Sequence, residues 1–393
     1  MGVVFLQSLS QWASKLSVDR VIMLLMAIFA VIGAIDHMLN NKRGYGVAFE
    51  EGLHSMGSLA QAVAAVYAAA PLLSRVLTPL IAPIFQSIGA DASVFAGLLL
   101  SSDMGGYALS AEMASSPALG NFSGLILGGT VGSIWVFTLP IALSILQERD
   151  RAYFASGILC GLMAIPLGCF FGGCLMTTDF VLSLSTILLN TIPVFVLAIL
   201  VSVGLWFQPE KTIHFFSRLG KAVTILAAAL TAIAVFEQLT GILIPPFDAM
   251  METNEAGLTG LDEGLLLCGK IALVLSGAFP MVLCIKRHCA KLLNTIGKRL
   301  NINSAASLGL LTSCVNCIPT FTAMKDMDER GKLINAAFLA GGGFALGDYL
   351  GFAAEAEPQM VLPMLGAKLL SGLIGVALAY LLAPALLKRL KEK

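Results

Sequence analysis

Charge is what this chain has least of. Of its 393 residues, 24 are Lys or Arg and 24 are Asp or Glu, 12% in all, where a soluble globular chain carries about 25%. So little charge leaves most of the surface facing something other than water. Histidine is scarce too: His37, His54, His214 and His288 form no metal-binding pattern. No glycine-rich loop carries the lysine of a phosphate-binding motif, which excludes ATP-driven work within the chain. The formal charge balances to zero, which argues against a nucleic-acid partner. The eight cysteines are scattered, mostly in apolar runs, where they behave as small hydrophobes. Only Cys314-Val-Asn-Cys317 has C-x-x-C spacing, and a zinc site would need further ligands nearby. This inventory assembles no enzyme and calls for no cofactor.

Apolar residues fill the space instead. The chain is 57% hydrophobic, with a mean hydropathy of +0.87. Apolar runs lie at Val21–Leu39, Leu53–Ala70, Phe122–Leu146, Tyr153–Met176, Val181–Trp206, Val223–Ile244, Leu265–Cys284, Ala336–Phe352 and Val361–Leu386. Each holds roughly the 17–25 residues that a bilayer requires. The pattern predicts an all-α polytopic membrane protein whose first partner is the lipid bilayer. Residues 1–20 place Lys15 and Arg20 after the apolar part, so they read as an interfacial segment rather than a cleavable signal.

The chain also repeats itself. FEEGLHSMGSLA at 49–60 aligns with LDEGLLLCGKIA at 261–272, and GLLLSS at 97–102 aligns with GLLTSC at 309–314, both offset by 212. Asn121 followed by Gly128-Gly129 matches Asn335 followed by Gly342-Gly343, offset 214. Upstream, Asp36 falls beside Glu237, each near a span end and therefore expected at the interface. Positive charge sets the topology. If 93–113 and 304–327 turn back as re-entrant hairpins and the C-terminus is cytoplasmic, nineteen of the twenty-four basic residues lie inside. If both stretches spanned, the KRLKEK tail and the Lys325–Lys332 cluster would fall outside. The expected architecture is two inverted repeats, each with four spanning helices and a re-entrant broken hairpin, joined by a ninth spanning helix. Its segments are 1–20 at the interface, 21–178 as repeat one, 179–221 as the linking helix and a cytoplasmic loop, and 222–393 as repeat two. Inverted repeats with broken elements at the midplane are the build of secondary transporters. A lipid-facing first helix in each repeat leaves room for a homodimer.

The hairpins carry the chemistry. Backbone that is not helical at membrane depth must be buried in protein or line a wet cavity. The first break is Ser101-Ser102-Asp103-Met104-Gly105-Gly106, and the second runs from Ser313 to Thr320 through Asn316 and Pro319. An ionised Asp in a span costs about 2.5–3.5 kcal/mol on insertion scales. Asp103 therefore either caps a helix or pairs with Lys270 or Lys368, or it serves a cationic substrate. Glu51 has its equivalent in Glu263, and Asp348 lies mid-span beside Tyr349. Asn121 and Asn335 read as helix caps. Buried Arg, which an anion would want, is missing from every span.

FEEG at 49–52, SSDMGG at 101–106, SGLILGG at 123–129, NCIPTF at 316–321, KDMDERGK at 325–332 and GDYLGF at 347–352 together carry a family likeness. The chain resembles the EutH family, the ethanolamine permease of bacterial ethanolamine-utilisation systems, over roughly residues 20–385. Where members often have Asn-Asn before Ile-Pro, this sequence has Asn316-Cys317. The resemblance implies uptake of ethanolamine across the bacterial cytoplasmic membrane. Ethanolamine at neutral pH is an ammonium bearing a hydroxyl, which suits a carboxylate with amide and hydroxyl neighbours. The expected set is Asp103 on the ammonium, helped by Glu51 or Asp348, with Asn316 and Ser101 or Thr320 on the hydroxyl, and Ser102 and the ring of Tyr349 beside them. A channel for small amines and a carrier of the same build for another solute, such as a nucleoside, are the competing readings.

Overall fold

Hydrocarbon offers no hydrogen bonds, so a chain this apolar must satisfy its backbone internally, and helices do that. The computed structural model describes Ser10 and residues 17–99, 106–177, 180–254, 256–288 and 290–391. Among them no strand forms beyond one isolated bridge between Thr253 and Thr259. Helix α1 (Val18–Met38) is followed by α2 (Tyr45–Leu59), a π-helical turn (Ala60–Ala64) and α3 (Ala65–Ser87). A broken hairpin comes next, α4 (Ser93–Leu99) and α5 (Gly106–Met113). Then come α6 (Pro117–Asn121), two π-helical stretches (Phe122–Gly132 and Ile134–Thr138), α7 (Leu139–Ile145) and α8 (Glu148–Cys174). Helix α9 (Leu184–Phe207) passes through Gln208 into α10 (Pro209–Thr240). The rest is α11 (Gly260–His288), α12 (Ala290–Leu300), a second broken hairpin of α13 (Ser304–Ser313) and α14 (Cys317–Ala323), then α15 (Glu329–Gly342), α16 (Asp348–Ala356) and α17 (Val361–Lys391).

Seven helices among the described residues are long and apolar enough to cross a membrane: α1, α3, α8, α9, α10, α11 and α17 with its leading turn. The chain is a multi-pass membrane protein. Three of the expected apolar runs are interrupted, the first being Leu53–Ala70, which passes from α2 through the π-helical turn into α3, itself continuing to Ser87. Residues 122–138 are wound mostly in π turns, and the run from 336 to 352 splits at 343–347 between α15 and α16. Helix α10 starts at Pro209, where a proline at the first helical position loses no hydrogen bond, so the stretch up to 221 is helical rather than looped.

The second hairpin is too short to cross. With ten residues in α13 and seven in α14, its limbs are about 10–15 Å long at 1.5 Å per residue, against about 30 Å of hydrocarbon. In the first, Ser110 Oγ of α5 donates to Ser93 O of α4 (3.3 Å), so the two limbs lie side by side. An aspartate closes the base of each hairpin. The Asp91 carboxylate accepts from Ser93 N (3.0 Å) and Ser115 Oγ (2.6 Å), and Asp91 N donates to Asn190 of α9 (2.7 Å). The Asp328 carboxylate accepts from Asn303 N (2.9 Å) and caps α15 through Gly331 N. These bases lie at opposite ends of α8. Gly173 abuts Ile187 at the α9 end, while Asp150 pairs with Lys332 of α15 at the other (2.6 Å).

Asp36 and Glu237 lie near the ends of α1 and α10. Both are buried and grip the connector after their helix: Asp36 accepts from Arg43 N and Gly46 N (3.0 Å each), and Glu237 from Ile244 N (2.6 Å). The core sits where α8, α15 and α17 meet. A Cβ added to Gly157 or Gly161 would collide with the carbonyl oxygens of Leu333 and Ala337, so α8 and α15 touch backbone to backbone. Basic side chains gather at the α15 end of this core. Arg389 caps the Trp206 carbonyl (3.0 Å) with its guanidinium over the indole, and Lys391 pairs with Glu329 (3.0 Å).

Candidate functional site

The second hairpin is stitched from within. The Thr320 hydroxyl lies 3.0 Å from Ser313 Oγ and 2.9 Å from Thr312 Oγ1, and donates to Gly309 O (3.1 Å). Thr320 is fully buried, so it joins the two limbs and does not face a cavity. Asn316 caps α14, its Oδ1 accepting from Ile318 N (2.9 Å), as expected where Pro319 follows and the backbone must turn. The tip is fastened to the break between α15 and α16. Phe344 N donates to Ser313 O (2.9 Å) and Leu346 N to Cys314 O (2.7 Å), and Gly347 leaves no room for a side chain against Val315. The two asparagines expected as caps are ties instead. Asn335 Nδ2 donates to Ala306 O and Gly331 O (2.9 Å each), joining α13 to α15, and Asn121 Oδ1 accepts from Tyr107 OH (2.9 Å).

Two cavities open at opposite ends of α11. One, of about 300 Å³, lies between α2, the basic end of α11 and the second hairpin. It is lined by Glu51, Lys286, Thr312, Val315, Asn316 and Pro319, with Phe279 and Val282 as an apolar wall. The other, of about 400 Å³, lies between α3, α5, the connector 252–258 and the start of α11. Tyr67, Ser74, Tyr107, Glu112, Asn254 and Glu263 line it, and an Arg75–Glu252 ion pair (2.6 Å) stands at its rim. Asn254 Nδ2 donates to Glu263 Oε1 (2.7 Å). Tyr107 forms the inner wall, its ring edge-on to Phe352 of α16 at 5.6 Å.

The family profile described as ethanolamine utilisation protein, EutH, matches residues 18–382. The chain belongs to the EutH family. A protein of Listeria monocytogenes (strain 10403S) named "Probable ethanolamine permease EutH" is 41% identical over 380 residues, 96% of this chain and 98% of its own. A Salmonella typhimurium (strain LT2) protein of the same name is 39% identical over 393 residues, 94% of this chain and 96% of its own. The Bacillus subtilis (strain 168) protein YxeR, which carries no described function, is 38% identical over 370 residues, with 94% and 96% covered. No solved structure matches the chain.

Of the residues singled out for EutH chemistry, Glu51 and Asn316 come together on one cavity. Ser101, Ser102 and Asp103 lie outside the described residues. Thr320 is inside the hairpin. Asp348 is half-buried at the first turn of α16. Tyr349 is 5% exposed, and its ring faces not a cavity but the ammonium of Lys368, 4.3 Å away. Lys270 pairs with Glu355 (2.9 Å). Lys286, Thr312 and the whole cavity around Glu263 are additions. The match of Glu51 to Glu263 in the repeat alignment was the signal for the latter.

Proposed function

We propose that the chain imports ethanolamine across the bacterial cytoplasmic membrane by alternating access, as a protonated amino alcohol. One observation carries the reading: Glu51 and Glu263, equivalent in the two repeats, line separate cavities at opposite ends of α11. Glu51 faces the hairpin of repeat two, and Glu263 shares its cavity with Tyr107 of the hairpin of repeat one. Paired half-sites of this kind would suit an inverted repeat whose two states open to opposite sides. The order of elements supports the same scheme. In both halves a first helix is followed by a second helical run, a broken hairpin, an interrupted helix and a long last helix, with α9 between the halves. The gathering of basic side chains at the Glu51 end supports a cytoplasmic C-terminus and an outer cavity at Glu263.

In this scheme the ammonium meets Glu263 between Tyr67 and Tyr107 on entry, where an aromatic face adds cation–π attraction. Asp103, which follows Ser101-Ser102 in the sequence between α4 and α5, takes it next, and Glu51 with Asn316 and Thr312 receives it on exit. The channel reading predicts flux without exchange. Proteoliposomes holding the full chain test both. Labelled ethanolamine uptake should saturate and show counterflow. Glu51→Gln and Glu263→Gln should each lower it by roughly 10- to 100-fold, the worth of a charged hydrogen bond of about 1.5–3 kcal/mol. Asp103→Asn should abolish uptake while leaving membrane insertion intact. Unchanged transport by both glutamate variants would remove the cavities from the route.

A further inference from the structure

Lys368 of α17 is among the largest fully buried side chains of the molecule, at 1% exposure. An ammonium at membrane depth persists only where it faces partners, and such residues usually mark function. Its partners come from the two interrupted helices. It donates to the carbonyl oxygen of Gly129, within the π-helical stretch 122–132, and lies over the ring of Tyr349, in the first turn of α16 after the break at 343–347. Altered winding at Gly129 redirects a carbonyl, and a Cβ added there would stand 3.3 Å from the Tyr349 ring, so a side chain at 129 would crowd it. Among the described residues, the titratable side chains that act on Lys368 besides Tyr349 are two thiols, Cys169 of α8 and Cys314 at the end of α13.

A freed carbonyl and an aromatic face at the meeting of two broken helices are ligands for a cation, and transporters place coupling sodium ions at such unwound carbonyls. Here the position is filled by a side chain of the protein. We propose that Lys368 is a resident cation: its ammonium holds, between Gly129 of the π-wound helix and Tyr349 of α16, the place a coupling sodium ion would take, so uptake needs no sodium. A compact point charge with three donors on a flexible stem suits this better than a planar guanidinium would. Because the stem belongs to α17, the charge ties three elements at one point, which a diffusible ion would leave whenever it dissociated.

The inference rests on the transport reading only for its uptake assay. Full-length protein in proteoliposomes is given labelled ethanolamine with sodium chloride or potassium chloride on both sides. Wild-type initial rates should agree in the two media, and a sodium requirement of about tenfold or more would overturn the resident cation. Lys368→Gln keeps a donor for Gly129 without the charge, and Lys368→Met keeps only the length. Both should lose uptake by about tenfold or more at an unchanged size-exclusion profile, and full uptake by a folded variant of either kind would also overturn it. If neither variant folds, the salt exchange on the wild type still decides. If the wild type moves no ethanolamine in either salt, the transport reading falls, and the resident cation is judged by unfolding in detergent. Sodium in place of potassium should then leave the wild-type midpoint unshifted, whereas a sodium-specific rise would show a bound ion and overturn the assignment.

Discussion

Breaking the Asp150–Lys332 pair should show whether α8 and α15 are held by an interior ion pair or by packing alone. The pair spans 2.6 Å with side-chain exposures of 1% for Asp150 and 10% for Lys332, so each charge has lost most of its water. Removing one partner of a buried pair costs about 3–5 kcal/mol because the other is stranded. The two sides are not equally exposed to that cost. Asp150 Oδ2 has no partner among the described residues, so Lys332→Met leaves a carboxylate with nothing and should fall near the upper figure, about 5 kcal/mol. Asp150→Asn leaves Lys332 with the Tyr153 ring at 5.5 Å and should fall near the lower one, about 3 kcal/mol. The double variant strands no charge, so its cost should undershoot the sum of the singles by about 1–3 kcal/mol. Chemical unfolding in a fixed detergent, followed as a double-mutant cycle, gives all three numbers. Strictly additive costs, or singles below about 1 kcal/mol as for a surface pair, would refute the argument. Neither residue lines the cavities around Glu51 and Glu263, so a folded double variant should still take up ethanolamine.

Other outcomes follow from the same geometry. Gly161→Val should force α8 away from α15 and destabilise the protein by about 1–3 kcal/mol or more, read as a lower unfolding midpoint, whereas Gly57→Val, at a position with open space around it, should not. Thr320→Val removes a hydroxyl shared by Thr312, Ser313 and Gly309 and should cost about 1–3 kcal/mol. The half-saturation concentration for ethanolamine should stay put, and a large rise would put Thr320 on the substrate. Asp91→Ala should loosen the base of the first hairpin and open Ser115 and the 92–93 backbone to hydrogen exchange. Protection unchanged there would show that packing alone closes the hairpin.

Much of this fold is legible in composition, because a bilayer asks for long apolar runs and the chain supplies them in order. Boundaries were less so. Helix α10 begins at Pro209, fourteen residues before the apolar run at Val223, since hydropathy marks the hydrocarbon and not the helix. The repeat alignment brought Glu51 and Glu263 forward as a pair, and proximity of Glu51 to Asn316 agrees with a site between α2 and the second hairpin. Orientation inside a broken helix is where periodicity fails. Thr320 sits two residues after the exposed Ile318 and points inward to its own hairpin, and Tyr349 turns its face to Lys368. That lysine read merely as a charge within a span, because its acceptor lies 239 residues away and no local pattern announces a carbonyl freed by π winding.

The backbone contact between α8 and α15 has a consequence for how this sequence can drift. Across most of a lipid-facing span, Leu, Ile, Val and Phe can trade places at little cost, since lipid adapts to any of them. At Gly157 and Gly161 no such trade exists, because the volume a side chain would need is already a neighbouring carbonyl. The history of a chain built this way would be written in two inks. The aliphatic letters fade and are replaced, while the spacing of these glycines, counted in turns of α8, stays readable in every descendant that still folds.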